Sequence, residues 1–358
     1  MFRKYSFQIQ RRKNKKRTQA GLITFALFSF LFPLSSFLYA QTLRVLTHDS
    51  FAVSEDVIAA FTEKTGITLE FLPAGDAGEV VNRAILTKDN PLADVLYGID
   101  NSLLARAINE NLFVPYESPE LANVADEYEF DSTHSVTPVD VGYINFNLDK
   151  EFFEKNNLAL PTDITDLTTE AYKGLTVVQN PATSSPGLGF MLATIARFGE
   201  EGEYTWLNYW RDLRENEVMV SSGWSEAYYT SFTRYGGDKP IVLSYATSPS
   251  AEDGATANLF CNQCVYEQIE AVGILKGTQN EQAAQQFIDF MLSPEFQSDI
   301  PGNMFVYPVV EGITLPETFE AFAATPNPEQ IARLAPDVIE ANLQRWLKEW
   351  TAVVEQRQ

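Results

Sequence analysis

Between residues 43 and 112 the chain changes its hydrophobic period five times, and that alternation constrains the fold more than any other feature. LRVLT is a short β-branched run. Ser54 then caps EDVIAAFTEKTG, where Val57, Ile58 and Phe61 follow helical spacing and Gly66 is the stop. ITLEFLP is a second strand, and AGEVVNRAIL a second helix with Val80, Val81, Ala84 and Ile85 on one side. ADVLYGID is the third strand and NSLLARAINENL the third helix. A β-α-β-α-β-α order predicts an α/β fold with a parallel, doubly wound sheet. In such sheets a ligand cleft lies beyond the carboxyl ends of the strands. The segments there are His48-Asp49-Ser50-Phe51, Gly75-Asp76-Ala77 and Gly98-Ile99-Asp100-Asn101. His48-Asp49-Ser50 is not a catalytic triad, because adjacent residues rarely converge and triads assemble from distant positions. His48 is expected instead as a hydrogen-bonding cleft residue.

The segment from Pro138 to Leu148 alternates without a helical pattern and reads as a crossing strand, with a hinge near Asp140-Val141-Gly142. A second α/β run follows. LTVVQN is a strand, SPGLGFMLATIARFG and TWLNYWRDLREN are helices, and VMVSS is a strand. Trp206 and Trp210, four apart, are assigned to the core. The stretch from Ser221 to Ser250 then reads helix, turn, strand. Gly223 and Glu226 have the spacing of an N-cap and its N3 carboxylate. That register puts Trp224 and Tyr228 on one face, and the strand IVLSYAT ends in a polar turn with Tyr245 near its tip. These aromatics sit among Ser, Thr and Glu at element ends, where ligand sites form, although buried packing is the common fate of such rings. Ser184 or Ser185 caps the helix after LTVVQN, Pro186 suits its first turn, and spare N–H groups at such a start can receive an anion. NMFVYPV is a short extended segment with Phe305 and Tyr307 on one face by alternation. Helices dominate the last 40 residues, and there is no internal repeat.

Residues 1–40 are set apart by composition. Met1 to Arg17 carry eight Lys or Arg and no acid, and Gly21 to Tyr39 are nearly all apolar, closing on Leu38-Tyr39-Ala40. This predicts a secretory signal cut after Ala40, with Pro33, Ser35 and Ser36 disfavouring the rival reading of an uncleaved anchor. Removing it takes eight of the 26 basic residues and none of the 48 acidic ones, so 18 remain against 48 and the formal charge becomes −30. Such a chain repels nucleic acid and anionic membranes and mildly favours a cationic ligand. The remaining length suits two lobes better than one core. Two cysteines, Cys261 and Cys264, stand as Cys-x2-Cys beyond an export signal, which favours a short disulfide over a zinc half-site. No activated nucleophile is evident, and a non-enzymatic role is expected.

The element order, with the blocks THDSF (47–51), ADVLYGIDN (93–101), VDVGY (139–143), NPATSSPGLGF (180–190), GWSEAY (223–228), LSYATSPS (243–250), QIE (268–270), FIDFMLSPEFQ (287–297) and VYPV (306–309), resembles the periplasmic thiamine-binding protein family of ABC importers. The blocks span nearly the whole chain after residue 40, in order. The resemblance departs at His48, where some members carry Tyr, and at Phe305, where some carry Trp. It implies a two-lobe periplasmic-binding-protein fold of type II, with residues 41–140 and 247–358 in one lobe and 141–246 in the other. It implies a monomeric, periplasmic protein without a cofactor, which grips thiamine or a phosphate ester between lobes and presents it to a permease and its ATPase. Trp224, Tyr228, Tyr245 and Phe305 would face the cationic rings. Asp76 or Asp100 would supply the carboxylate. Ser184, Ser185 and nearby N–H groups would meet the tail, with His48 lining the cleft. The alternative within the same fold is a ferric-iron binder using the phenolate pair Tyr228-Tyr229, with His48 and an acid such as Asp76 or Glu79.

Overall fold

A computed structural model describes residues 41–354; the expected signal segment lies outside them. The three predicted strand–helix units are present: β1 (Gln41–Thr47), α1 (Glu55–Thr65), β2 (Ile67–Pro73), α2 (Ala77–Leu86), β3 (Val95–Asp100) and α3 (Leu104–Asn109). Ser54 caps α1 through Oγ, and Gly66 ends it in the left-handed conformation at φ 73°. Further strands are β4 (Phe113–Val114), β5 (Thr137–Asp149), β6 (Thr176–Gln179), β7 (Met219–Ser221), β8 (Ile241–Tyr245), β9 (Thr256–Leu259), β10 (Val265–Leu275), β11 (Tyr307–Pro308) and β12 (Ile331–Ala332). Helices α4 (Lys150–Lys155), α5 (Ser185–Phe198), α6 (Trp206–Glu215) and the short α7 (Trp224–Glu226) lie between them, and longer helices close the chain at 281–291, 294–303 and 336–354. No helix of the described residues is long and apolar enough to cross a membrane.

The main sheet runs β2-β1-β3-β10-β5-β8-β6-β7. Each end is a wing of three parallel strands, β2-β1-β3 and β8-β6-β7. Between them β10 and β5 pair antiparallel with each other and with the adjoining wing strands. All 13 residues of β5 are buried, as a strand covered on both faces requires. The crossing strand expected from alternation is therefore the seam that joins the two wings.

Helix α5 is buried from Ser185 through Ile195, apolar nearly all round, and lies against both seam strands. Two glycines permit that approach. A Cβ at Gly187 would stand 2.4 Å from the carbonyl oxygen of Gln179 at the end of β6, and one at Gly189 would stand 2.6 Å from Ile144 Cδ1. Trp206 and Trp210 are core residues, as their spacing predicted. Trp210 packs edge-on against Phe190 and Trp350, each at 5.4 Å, and donates Nε1–H to Thr194 Oγ1 at 2.9 Å.

The two cysteines form a disulfide with Cα atoms 5.5 Å apart. It closes a four-residue loop, so the chain-entropy contribution is small. Replacing both with serine is expected to lower the unfolding free energy by no more than about 2 kcal/mol, read as a shift in urea midpoint.

Candidate functional site

All six parallel strands send their carboxyl ends toward one place. The loops after β1, β2, β7 and β8, the start of α5, and the seam strand β10 line a cavity of about 300 Å³, together with residues 303–306. The volume is at the small end for organic ligands.

Seven of the nine expected site residues line it: His48, Asp76, Ser185, Trp224, Tyr228, Tyr245 and Phe305. Asp100 and Ser184 stand behind the wall. Asp100 is 1% exposed, and its Oδ1 accepts from Ser102 N at 2.7 Å and from Ser102 Oγ. Its Oδ2 accepts from Ser185 Oγ at the start of α5. The anion-attracting end of that helix thus already faces a protein carboxylate. Ser184 is the N-cap of α5 by position, but its hydroxyl makes no capping bond and is buried near the Asp76 carboxyl outside hydrogen-bond geometry.

Asp76 links the wings. As N-cap of α2 its Oδ1 accepts from Ala77 N at 2.7 Å, while Glu79 Oε2 accepts from Asp76 N at 3.1 Å to complete a capping box. Its Oδ2 accepts from Trp224 N at 2.8 Å, across the cleft. Burial pushes the Asp76 carboxyl up, while the N–H groups of Trp224 and Ala77 pull it back.

Gly223 caps the aromatic turn as expected, and Trp224 and Tyr228 share a face, stacked at 4.7 Å and 18°. The Glu226 carboxylate reaches one residue further back than a capping box would place it, accepting from Ser222 N and Ser222 Oγ at 2.9 and 2.8 Å. From Ala227 to Ser231 the helix widens into a π-turn, a form enriched at functional sites. Trp224 donates Nε1–H to Ser244 Oγ at 2.8 Å, which fixes the indole plane. Tyr228 is only 2% exposed and belongs to a small core with Val177, Phe232 and Val242, while one edge reaches the cavity. Its hydroxyl donates to Glu252 Oε1 at 2.8 Å, and burial, with the Glu252 charge behind it, pushes the phenol far above its ordinary value. Tyr229 stands perpendicular to it. A phenol so held is a poor phenolate, and among the described residues no group of three His, Cys, Asp or Glu is placed to hold a metal. Tyr245 donates to Gln268 Oε1 at 3.0 Å.

Phe305 and Tyr307 do not share a face. Phe305 adopts φ 55°, uncommon for a bulky residue, and its carbonyl accepts from Thr247 Oγ1. That turn breaks the alternation. Phe305 lines the cavity, while Tyr307 packs against Tyr143 and Phe319 at 6.2 and 5.6 Å. Backbone held this way by a neighbouring loop is typical of ligand clamps.

Two residues of β10, Gln268 and Glu270, also line the cavity; both lie in the QIE block that carried part of the resemblance, but neither was assigned to the site. Glu270 Oε1 lies 3.2 Å from His48 Nε2, and Oε2 accepts from the Tyr97 hydroxyl at 2.8 Å. Tyr97 OH also lies 2.5 Å from Asp140 Oδ2. Burial, with Glu270 beside it, pushes the Asp140 carboxyl well up. For His48 burial acts downward, but the charges of Glu270, Asp76 and Asp49 outweigh it and hold the imidazole above its ordinary value. The lining contains Asp49, Asp76 and Glu270 and no Lys or Arg.

Comparison with known proteins agrees with this architecture. The sequence pattern of the family described as bacterial extracellular solute-binding protein matches residues 90–337. A thiamine-binding periplasmic protein of Salmonella typhimurium is 31% identical over 324 residues, covering 87% of this chain and 93% of the relative. A solved periplasmic thiamin binding protein superposes with a TM-score of 0.77 at 29% identity, covering 88% of this chain and 96% of that one. A ferric binding protein from Campylobacter jejuni superposes with a TM-score of 0.71 at 21% identity, over 87% and 99% of the two chains, a likeness of fold alone. On these matches the chain belongs to the bacterial extracellular solute-binding protein family, within its group of thiamine-binding periplasmic proteins.

Proposed function

We propose that the protein captures thiamine in this cavity, outside the cytoplasmic membrane, and delivers it to the permease and ATPase of an ABC importer. The observation that carries the reading is the lining itself: aromatic rings and three carboxylates with no Lys or Arg. A flat cation gains from aromatic faces, roughly 0.5–2 kcal/mol per desolvated contact. Carboxylates short of counter-charge add an electrostatic attraction. The relatives that print thiamine in their names support the same ligand. The acidic lining favours free thiamine over its phosphate esters. Catalysis is not part of this role, nor is a cofactor, and the protein acts as a monomer in the periplasm after loss of its signal segment. Ligand entry and release require the wings to part, with bending at 139–143 and 246–250 where the chain passes between them.

The test is a titration of the purified protein with thiamine, thiamine monophosphate and thiamine diphosphate, followed by tryptophan fluorescence and calorimetry. Thiamine is expected to bind at micromolar concentration or below. Absence of a signal with all three compounds would overturn the reading. A visible Fe(III)–phenolate band after iron loading would favour the ferric alternative through Tyr228 and Tyr229. Trp224→Ala is expected to weaken thiamine binding by about 1 kcal/mol or more, through loss of an aromatic contact. Unchanged affinity would remove the indole from the contact surface.

A further inference from the structure

A ladder of acids crosses the sheet beside the cavity. Register pairs Glu270 of β10 with Asp100 of β3 on one side and with Asp140 of β5 on the other. The ladder is irregular here, with register shifts at Glu270/Ala271 against β5 and Ala271/Val272 against β3. Bulges of this kind re-aim side chains next to binding sites. Of the three, Glu270 is the one that reaches the cavity wall. The basic group facing it is His48, whose side chain is 8% exposed against 6% for Glu270. His48 Nδ1 is 2.9 Å from Ser50 Oγ, and Ser50 also lines the cavity.

The charged and titratable groups around the imidazole come from every element packed on it. Asp49 is on its own loop, Asp76 on the turn before α2, Tyr97 on β3 and Glu270 on β10. Asp100 and Asp140 stand behind Glu270, and Tyr245 lines the cavity beside it. The imidazole is thus the one basic side chain of the lining, set in a nest of acids.

We propose that protonated His48 is the stand-in counter-ion of Glu270, and that a ligand with a fixed positive charge takes over that role on binding and expels one proton. The inference rests on the cationic-ligand reading above and makes Glu270 the residue that selects charge. The step is a simple proton loss. The Nδ1–H bond of the imidazolium breaks and the proton passes through the cavity mouth to buffer. The Ser50 hydroxyl then turns from acceptor to donor toward Nδ1, and Nε2–H stays toward Glu270. Without ligand, the acids around His48 favour its charged form. A fixed cation beside Glu270 cancels that support, and repulsion between two positive groups favours the neutral ring. The sign follows: proton and ligand compete, so affinity rises with pH below the His48 midpoint and levels off above it.

The chain has two histidines, His48 and His134, and His134 lies outside the cavity lining. Proton NMR of the two imidazole C2–H signals is therefore readable, with His134 as internal reference and H48Q or H134Q for assignment. Saturation with thiamine is expected to lower the His48 midpoint by about one pH unit or more. Calorimetry in phosphate and ACES near pH 6.5 is expected to show release of about half a proton or more per thiamine, and affinity rising with pH below the midpoint by less than about tenfold per unit. In H48Q the release and the pH dependence are expected to fall away, while D140N, behind the wall, retains both. A thiamine-saturated protein with an unmoved His48 midpoint, or release undiminished in H48Q, overturns the proposal while leaving the ligand reading intact. Release lost in D140N but kept in H48Q also overturns it, assigning the proton to a carboxyl. Failure of thiamine to bind at any pH overturns the ligand reading itself, and this proposal with it.

Discussion

Gly187→Ala is expected to lower stability by about 2–3 kcal/mol and to weaken ligand binding together with it. Helix propensity argues the other way, since alanine is about 1 kcal/mol better than glycine in a helix interior. Sterics decide. The new Cβ would lie 2.4 Å from the Gln179 carbonyl oxygen and 2.8 Å from its carbon, and both belong to backbone that cannot rotate aside. The start of α5 would have to lift from the end of β6. That start carries Ser185, which holds Asp100 and lines the cavity. The control is Gly302→Ala in the helix 294–303, where a Cβ meets nothing within 4 Å. It is expected to be neutral or slightly stabilising. Urea denaturation of both variants, with thiamine titration at 25 °C, checks the pair. Equal stability of the two would show that α5 does not need its glycine contact.

Asp76→Ala is the second large effect, at about 3 kcal/mol, made of two separable parts. Loss of an N-cap costs about 1 kcal/mol. Leaving the partly buried Trp224 N–H without its acceptor costs about 1–3 kcal/mol more. Asp76→Asn keeps an acceptor oxygen for one of the two N–H groups and is expected to recover roughly half of the loss. Ligand affinity is expected to fall in both variants, because the bond from Asp76 Oδ2 to Trp224 N positions the indole. Thermal unfolding with and without thiamine reads the two effects separately. A D76A protein with native stability would remove Asp76 as a link between the wings.

Much of this site was legible because it depends on local pattern. Strand–helix alternation placed His48, Asp76 and Asp100 at strand ends before any tertiary contact was known. Four-residue spacing put Trp224 over Tyr228. Glu270 was hidden for a different reason. It lies inside an 11-residue strand, buried but for its third residue, where period and composition speak only of packing. Its importance comes from register with Asp100 and Asp140, and register between strands so distant in sequence is set by the whole sheet. The QIE block, and an acid in the middle of such a strand, were the signals available. Asp100 and Ser184 were placed at the right ends but on the wrong side of the wall, because position along a strand or helix does not say what the neighbouring wing will offer. Phe305 illustrates the converse. Alternation grouped it with Tyr307, and a single positive φ, imposed by the Thr247 contact, sent the two rings apart.

The seam has a consequence for the birth of the molecule. Val95 must wait for Ile274, and Thr137 for Val272, before the centre of the sheet can close. Contacts so remote along the chain carry a heavy loop-closure cost and form late. A polypeptide leaving the ribosome therefore keeps β5, the strand at its heart, without a sheet partner until the final third of the chain has been made.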